Sequence, residues 1–287
     1  MSDGSAVRVR GLRKAYGHRT VLDGVDLDVG RGEVVAVLGP NGAGKTTLTE
    51  ILEGYRGRDG GEVTVLGEDP GTAGPDWRDR IGIVLQGNGD LAHLTPREAF
   101  RHFAGYYSTP RDPDELLAVV GLVEQAGKRI GKLSGGQRRR VDVGLSMLGD
   151  PELIFLDEPT TGFDPEARRR FWDTVRSLRA SGTSVLLTTH YLDEAEALAD
   201  QVAVLAHGRV VAAAPPAELG GAGRRRPVVH WRENGTPRQE TTDDPSAVVQ
   251  RLTRELGGSV PDLRVESPSL EDVYLDMISD DRSEPSA

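Results

Sequence analysis

The chain has 287 residues, 37 % apolar and 28 % charged, enough for one large packed domain with a smaller appendage. Its 45 acidic and 35 basic residues leave a formal net charge of −10, which argues against a surface built to neutralise nucleic-acid phosphate. There is no cysteine, so disulfides, thiol catalysis and thiolate metal sites are excluded.

Val7 to Leu12 and Val25 to Val29 read as β-rich stretches around a turn at Tyr16-Gly17-His18. Val34 to Leu38 is a continuous apolar run between glycines, the pattern of a strand buried on both faces, and Thr46 to Leu52 reads as a helix. Strands follow at Glu62 to Leu66 and Ile81 to Leu85. From Thr95 to about Lys132 the pattern is helical, opened by Thr95-Pro96-Arg97-Glu98 and again by Asp112-Pro113-Asp114-Glu115. Ser134 to Leu148 forms a further helix. Leu153 to Leu156, a helix over Pro165 to Ala180, and Ser184 to Thr188 then give strand, helix, strand, the order of a mostly parallel sheet covered by helices.

Val202 to Ala206 and Arg209 to Ala213 form a hairpin around His207-Gly208. Composition shifts near Pro215-Pro216 and over Gly220 to Arg226. Beyond lie Val228 to Trp231, a turn at Asn234-Gly235, a helix near Pro245 to Leu256, Leu263 to Val265 and a last helix from Leu270. The expected organisation is a main domain over 1–218 with a helical subdomain at about 87–150, a small α/β appendage over 219–279, and a disordered polar tail over 280–287. No apolar run approaches the roughly 20 residues that cross a bilayer, and no secretory leader is visible at the start. Arg138-Arg139-Arg140, Arg168-Arg169-Arg170 and Arg224-Arg225-Arg226 read first as solvated helix faces, with a local basic patch as the alternative.

Three segments carry chemistry. Gly39-Pro40-Asn41-Gly42-Ala43-Gly44-Lys45-Thr46 fits G-x-x-x-x-G-K-[ST] between a strand and a helix. Its glycines let backbone N–H groups turn in on a phosphate, and the helix end adds partial positive charge. Lys45 is placed for the β- and γ-phosphates and the Thr46 hydroxyl for Mg²⁺. Leu153-Ile154-Phe155-Leu156-Asp157-Glu158 is an apolar strand ending in two carboxylates. Asp157 suits the Mg²⁺ shell and Glu158 a general base for water; alone, the pair also fits an acidic helix cap. Leu133-Ser134-Gly135-Gly136-Gln137 opens a second anion-binding helix end, which one nucleotide does not need from one chain. The economical explanation is a γ-phosphate held by another copy.

From Tyr16 to His190 this set resembles the ATP-binding subunits of ABC transporters. Gly39 to Thr46 matches the Walker A loop, Leu133 to Gln137 the signature, Leu153 to Asp157 Walker B and Glu158 the catalytic glutamate. The resemblance implies a P-loop NTPase of ABC type: a mostly parallel sheet core, an antiparallel β subdomain and an α-helical insert, followed here by the α/β appendage. It implies ATP and Mg²⁺ as cofactors, with Thr47 beside Thr46 in the nucleotide site. It assigns Tyr16 to adenine stacking, Gln86 to Mg²⁺, water and the sensing of a membrane partner, and His190 to the γ-phosphate and the support of Glu158. It assigns Asp164, in Gly162-Phe163-Asp164-Pro165, to the link between two ATP sites. Phe163 departs from the commoner leucine. Unaided, Tyr16 and His190 read as strand-end residues and Gln86 as a loop residue.

Ser267 to Leu275, Glu50 to Tyr55 and Glu158 to Pro165 resemble the daunorubicin-resistance and multidrug exporter type. That resemblance implies a head-to-tail dimer with itself or a homologous ATPase, integral-membrane permease partners, no nucleic acid, and a cytoplasmic position on the inner face of the membrane. An importer ATPase is the alternative nearest to hand. A soluble ABC ATPase of DNA or ribosomes is disfavoured by the charge and by the absence of coiled-coil arms. An ATP-binding dimer without turnover is disfavoured by Glu158 and His190.

Overall fold

A computed structural model describes residues 4–84 and 91–281. The opening hairpin pairs β1 (Ser5–Tyr16) with β2 (Arg19–Gly30) antiparallel, and its buried face carries Val7, Val9 and Leu12 against Leu22, Val25, Leu27 and Val29. β1 extends past Leu12: Tyr16 belongs to the strand and pairs with Arg19, leaving only Gly17-His18 as the turn. β3 (Val34–Leu38) is buried at all five positions, as its continuous apolar run predicts for a strand covered on both faces. α1 (Lys45–Leu52) follows directly and buries Leu48, Ile51 and Leu52.

β4 (Gly60–Val65) pairs antiparallel with β1, closing a three-stranded sheet in the order β2-β1-β4. A single-turn helix, α2 (Pro75–Arg78), sets Trp77 into the core with its indole N–H donated to Val65 O at 2.9 Å. β5 (Ile81–Val84) then leads to the helical insert. The expected end of that strand at Leu85, and Gln86 after it, lie outside the described residues.

The insert contains α3 (Pro96–Ala104), α4 (Pro113–Val119) and α5 (Gly135–Ser146), with one 3₁₀ turn before α3 and two between α4 and α5. Thr95 caps α3 in a reciprocal capping box with Glu98, and Asp112 caps α4 through Asp114 N. These caps satisfy N–H groups that would otherwise be orphaned at each helix start.

β6 (Leu153–Asp157), α6 (Pro165–Ala180), β7 (Ser184–Thr189), α7 (Leu192–Leu198), β8 (Gln201–Ala206) and β9 (Arg209–Ala214) complete the core. The six-stranded sheet has the order β5-β6-β7-β3-β8-β9, and the pairs β5–β6, β6–β7, β7–β3 and β3–β8 are parallel. The fold is therefore the mixed α/β architecture of a P-loop NTPase. Apolar side chains of the antiparallel sheet, α1 and the parallel sheet form one continuous core, including Val35, Val37, Phe155, Leu186 and Leu205.

The chain divides into two compact units, Met1–Ala213 and Ala214–Ala287. The second contains α8 (Gly221–Arg224), β10 (Val228–Glu233), β11 (Thr236–Thr241), α9 (Pro245–Glu255), β12 (Arg264–Glu266) and α10 (Leu270–Asp281). Its antiparallel sheet runs β11-β10-β12, and Val229, Val248 and Leu252 form its small core. Asn234 and Gly235 both have positive φ, the backbone of a tight hairpin turn. Leu270, Val273 and Met277 are the buried stripe of α10. Asp280 and Asp281 close that helix, and 282–287 lie outside the described residues.

Candidate active site

The carboxyl ends of parallel strands gather the chemistry, as open α/β sheets require. β3 delivers the loop Gly39–Gly44 to the start of α1. Gly44 sits at φ +107, and a Cβ there would lie 2.7 Å from Leu22 Cδ2 and 3.0 Å from Val21 O, so only glycine serves. At Gly39 a Cβ would meet Leu205 O at 2.4 Å. The loop is thus wedged between β2 and β8. Gly39, Ala43 and Gly44 are buried, Pro40, Asn41, Gly42 and Thr46 are exposed, and Thr47 is half-buried.

Lys45 is almost fully buried. Its Nζ donates to Gly39 O at 2.8 Å and Pro40 O at 3.3 Å, and lies 3.5 Å from Glu158 Oε1. Glu158 adopts φ +41, a left-handed conformation that costs free energy in a non-glycine residue and turns its side chain out of the strand line. The other carboxylate oxygen, Oε2, faces His190 Nδ1 at 3.3 Å. Lys45, Glu158 and His190 therefore form one cluster.

Asp157 is buried beside it and held from the adjacent strand. Thr188 Oγ1 donates to Asp157 Oδ1 at 2.5 Å and accepts from Glu158 N at 3.1 Å, while Glu158 N also donates to Thr188 O at 3.1 Å. One residue thereby holds the Asp157 carboxylate and the Glu158 backbone together.

Tyr16 is 41 % exposed, with the Arg56 guanidinium 5.3 Å and Lys14 Nζ 5.6 Å from its ring centroid. Its cross-strand partner Arg19 brings a guanidinium nitrogen to 3.9 Å from the Cβ position of Gly42, so this hairpin end adjoins the phosphate loop.

Ser134 heads α5 in a capping box: Ser134 Oγ accepts from Gln137 N at 3.3 Å and Gln137 Oε1 from Ser134 N at 3.1 Å. Ser134 and Gly135 are exposed, and a Cβ on Gly136 would lie 2.9 Å from Ala167 Cβ of α6. Among the described residues no hydrogen bond or ion pair joins Ser134 to Gln137 with the Lys45–Glu158–His190 cluster. Asp164 is exposed and caps α6 through Ala167 N at 2.7 Å.

One sequence expectation is corrected. Arg139 does not lie on a solvated face: it is buried, its guanidinium donating to Asp157 O at 2.8 Å and Pro159 O at 3.1 Å. Burial lowers its pKa, opposed by Asp142, Asp157 and Glu194. The signal was available, since Arg139 shares a helix face with Val143 and Ser146. Arg140 is half-buried and donates to Val120 O and Gly121 O. Thr188 was also missed as a site residue; a hydroxyl ending an apolar strand level with Asp157 could have marked it.

A phosphate-cradling loop backed by a buried lysine, with a carboxylate pair at the end of a strand two places along the same sheet, defines a nucleoside-triphosphate hydrolase. Residues 22–161 match the ABC transporter family model. The chain is 39 % identical to the daunorubicin resistance ATP-binding protein DrrA3 of Streptomyces coeruleorubidus, over 97 % of both chains. It is 41 % identical to the fluoroquinolones export ATP-binding protein Rv2688c of Mycobacterium tuberculosis, over 80 % of this chain and 77 % of the other. Among solved structures, it aligns with the ADP conformation of MJ1267, an ATP-binding cassette of an ABC transporter (TM-score 0.66, 26 % identity, 74 % of this chain and 91 % of that one). The chain belongs to the ATP-binding subunits of the ABC transporter family: it binds ATP and is an ATPase.

Proposed function

We propose that this chain powers export of a small, lipophilic or drug-like molecule through a separately encoded membrane permease. The observation that carries the hydrolytic part is the placement of Glu158 between Lys45 Nζ (3.5 Å) and His190 Nδ1 (3.3 Å). A carboxylate so held is restricted to a few orientations, as a base that must meet a water requires. Lys45 exchanges its bonds to Gly39 O and Pro40 O for phosphate oxygens, neutralising charge that grows in the transition state. His190 steadies Glu158 and contacts the γ-phosphate, and Tyr16 supplies a face for adenine.

The residues present fit Mg²⁺. Thr46, Asp157 and Gln86 offer hard oxygen donors, with Gln86 outside the described residues. Among the described residues no group of three His, Asp or Glu side chains gathers for a metal, which suits an ion that completes its shell with phosphate and water. When bound, Mg²⁺ would neutralise the β- and γ-phosphate oxygens.

Exposure of Ser134 and Gly135 at a capped helix start supports a head-to-tail dimer, in which each signature closes over the other copy's γ-phosphate. Gly39 to Lys45, Ser134 to Gln137 and Asp164 then line one composite site. Relatives named for daunorubicin resistance and fluoroquinolone export support the direction of transport. Among the described residues no helix is long and apolar enough to cross a membrane, so the pathway would lie in a partner. A groove between the core and the insert, lined by Glu53, Tyr55, Ile83, Phe103 and Tyr107, suits that partner. Tyr55 at its edge is 79 % exposed and neighbouring Tyr106 is 71 % exposed. The reading places the chain on the inner membrane face through that partner.

Glu158→Gln tests the core of the proposal. Turnover should fall by about 100-fold or more, while ATP binding persists and ATP stabilises a dimer on size-exclusion chromatography. Turnover equal to the parent removes Glu158 as the base.

A further inference from the structure

Four residues past His190, Glu194 lies in the first turn of α7 and is fully buried. Three donors face it: the hydroxyls of Thr189 and Thr160 and the indole N–H of Trp172 on α6. Arg168, also on α6, contributes the opposite charge. Thr160 Oγ1, Trp172 Nε1 and Arg168 Nε are themselves buried. Thr189 Oγ1 accepts from Tyr191 N at 3.0 Å, which leaves its proton free for the carboxylate.

Burial raises the Glu194 pKa, and the facing donors and Arg168 oppose that rise. A buried carboxylate is tolerated only where donors satisfy it, so matched donors on separate segments are tied together through the one acceptor they share.

The segments that this carboxylate ties together define its consequence. Thr160 follows Glu158 by two residues, Thr189 precedes His190, and Trp172 belongs to the helix capped by Asp164. Arg168 already ties α6 to the segment beyond His190, pairing with Asp193 at 2.7 Å and covering the Tyr191 ring at 4.8 Å. We propose that Glu194 is a positioning residue: its network holds the loop of His190, the loop of Glu158 and the Asp164 end of α6 in mutual register for hydrolysis. The inference rests on the reading of Glu158 and His190 as the hydrolytic pair.

The test uses the full chain with Glu194→Gln, Trp172→Phe and the double variant, Thr160→Val standing in should Trp172→Phe fail to fold. Glu194→Gln is isosteric but turns one of the two acceptor oxygens into an amide donor that faces the same three donors. Its kcat should fall about tenfold or more with KM for ATP within about twofold, and Trp172→Phe should lose less. The double variant should be no slower than Glu194→Gln alone, because both changes open one network. Parent kinetics in Glu194→Gln overturn the proposal. So do losses that multiply in the double variant, or a kcat loss matched by fewer ATP-binding sites per chain, which mark a merely structural role. Failure of the underlying reading is separately visible as retained turnover in Glu158→Gln.

Discussion

Lys45 and Glu158 face each other at 3.5 Å across the junction of the phosphate loop and β6, both largely withdrawn from water. The ammonium is bonded at once to its own loop and drawn to the carboxylate, so it joins the nucleotide site to the hydrolytic one.

Lys45→Ala removes that link and leaves Glu158 near His190 alone. ATP affinity should fall about 100-fold by equilibrium binding, because a charge-assisted contact to phosphate is lost in a buried setting. Affinity within about threefold of the parent would mean that the backbone of the loop suffices.

Gly44→Ala should abolish nucleotide binding through geometry alone. The added Cβ meets Leu22 and Val21 O in a backbone conformation that disfavours it, so the loop must move. The check is ATP titration combined with thermal unfolding: binding should vanish while the fold, anchored elsewhere, still melts cooperatively.

Arg139→Met replaces the buried guanidinium with an apolar chain of similar reach and strands Asp157 O and Pro159 O without their donor. A stability loss of roughly 2–3 kcal/mol is expected from denaturant unfolding. Turnover should drop with it, since the carbonyls released flank Glu158, whereas KM for ATP should hold.

Ser134→Ala removes one half of a capping box and should destabilise α5 by about 1 kcal/mol. The dimeric reading predicts a larger effect on turnover, on the order of tenfold, without a matching loss of ATP affinity in the separate subunit. Measured turnover that tracks stability alone would confine Ser134 to its cap.

Glu53 provides a pH-dependent test. Burial pushes its carboxyl up from 4.5 to about 7, aided by the charges of Asp157 and Glu50. A raised carboxyl favours the folded state below the unfolded pKa, and that contribution is lost as pH rises from about 4.5 through about 7. Glu53→Gln should therefore melt progressively higher than the parent as pH goes from 5 to 8, with the gap opening across that interval. A gap independent of pH would show that ionisation of Glu53 carries no cost.

Much of this was legible in residue order. Gly39 to Thr46 and Leu153 to Asp157 declare themselves because phosphate binding demands specific residues at fixed spacing. Helix starts at Thr95, Asp112, Ser134 and Asp164 were readable because caps are local chemistry. β11 escaped notice because all its positions but Glu240 are exposed, leaving no apolar alternation. α7 escaped because Tyr191 offers no side-chain cap. Glu194 was opaque for a different reason: a charged residue reads as solvated until tertiary packing buries it against distant partners.

Thr188 carries one last consequence. Its hydroxyl holds the Asp157 carboxylate, and its hydroxyl and carbonyl hold the Glu158 backbone from the next strand, so one carboxylate and the backbone of the other are gauged from a single datum. A slip between β6 and β7 would displace the two together and preserve their mutual offset, whereas a change in Thr188 itself would detune one relative to the other. Tolerance in this pair is set by a residue with no chemistry of its own.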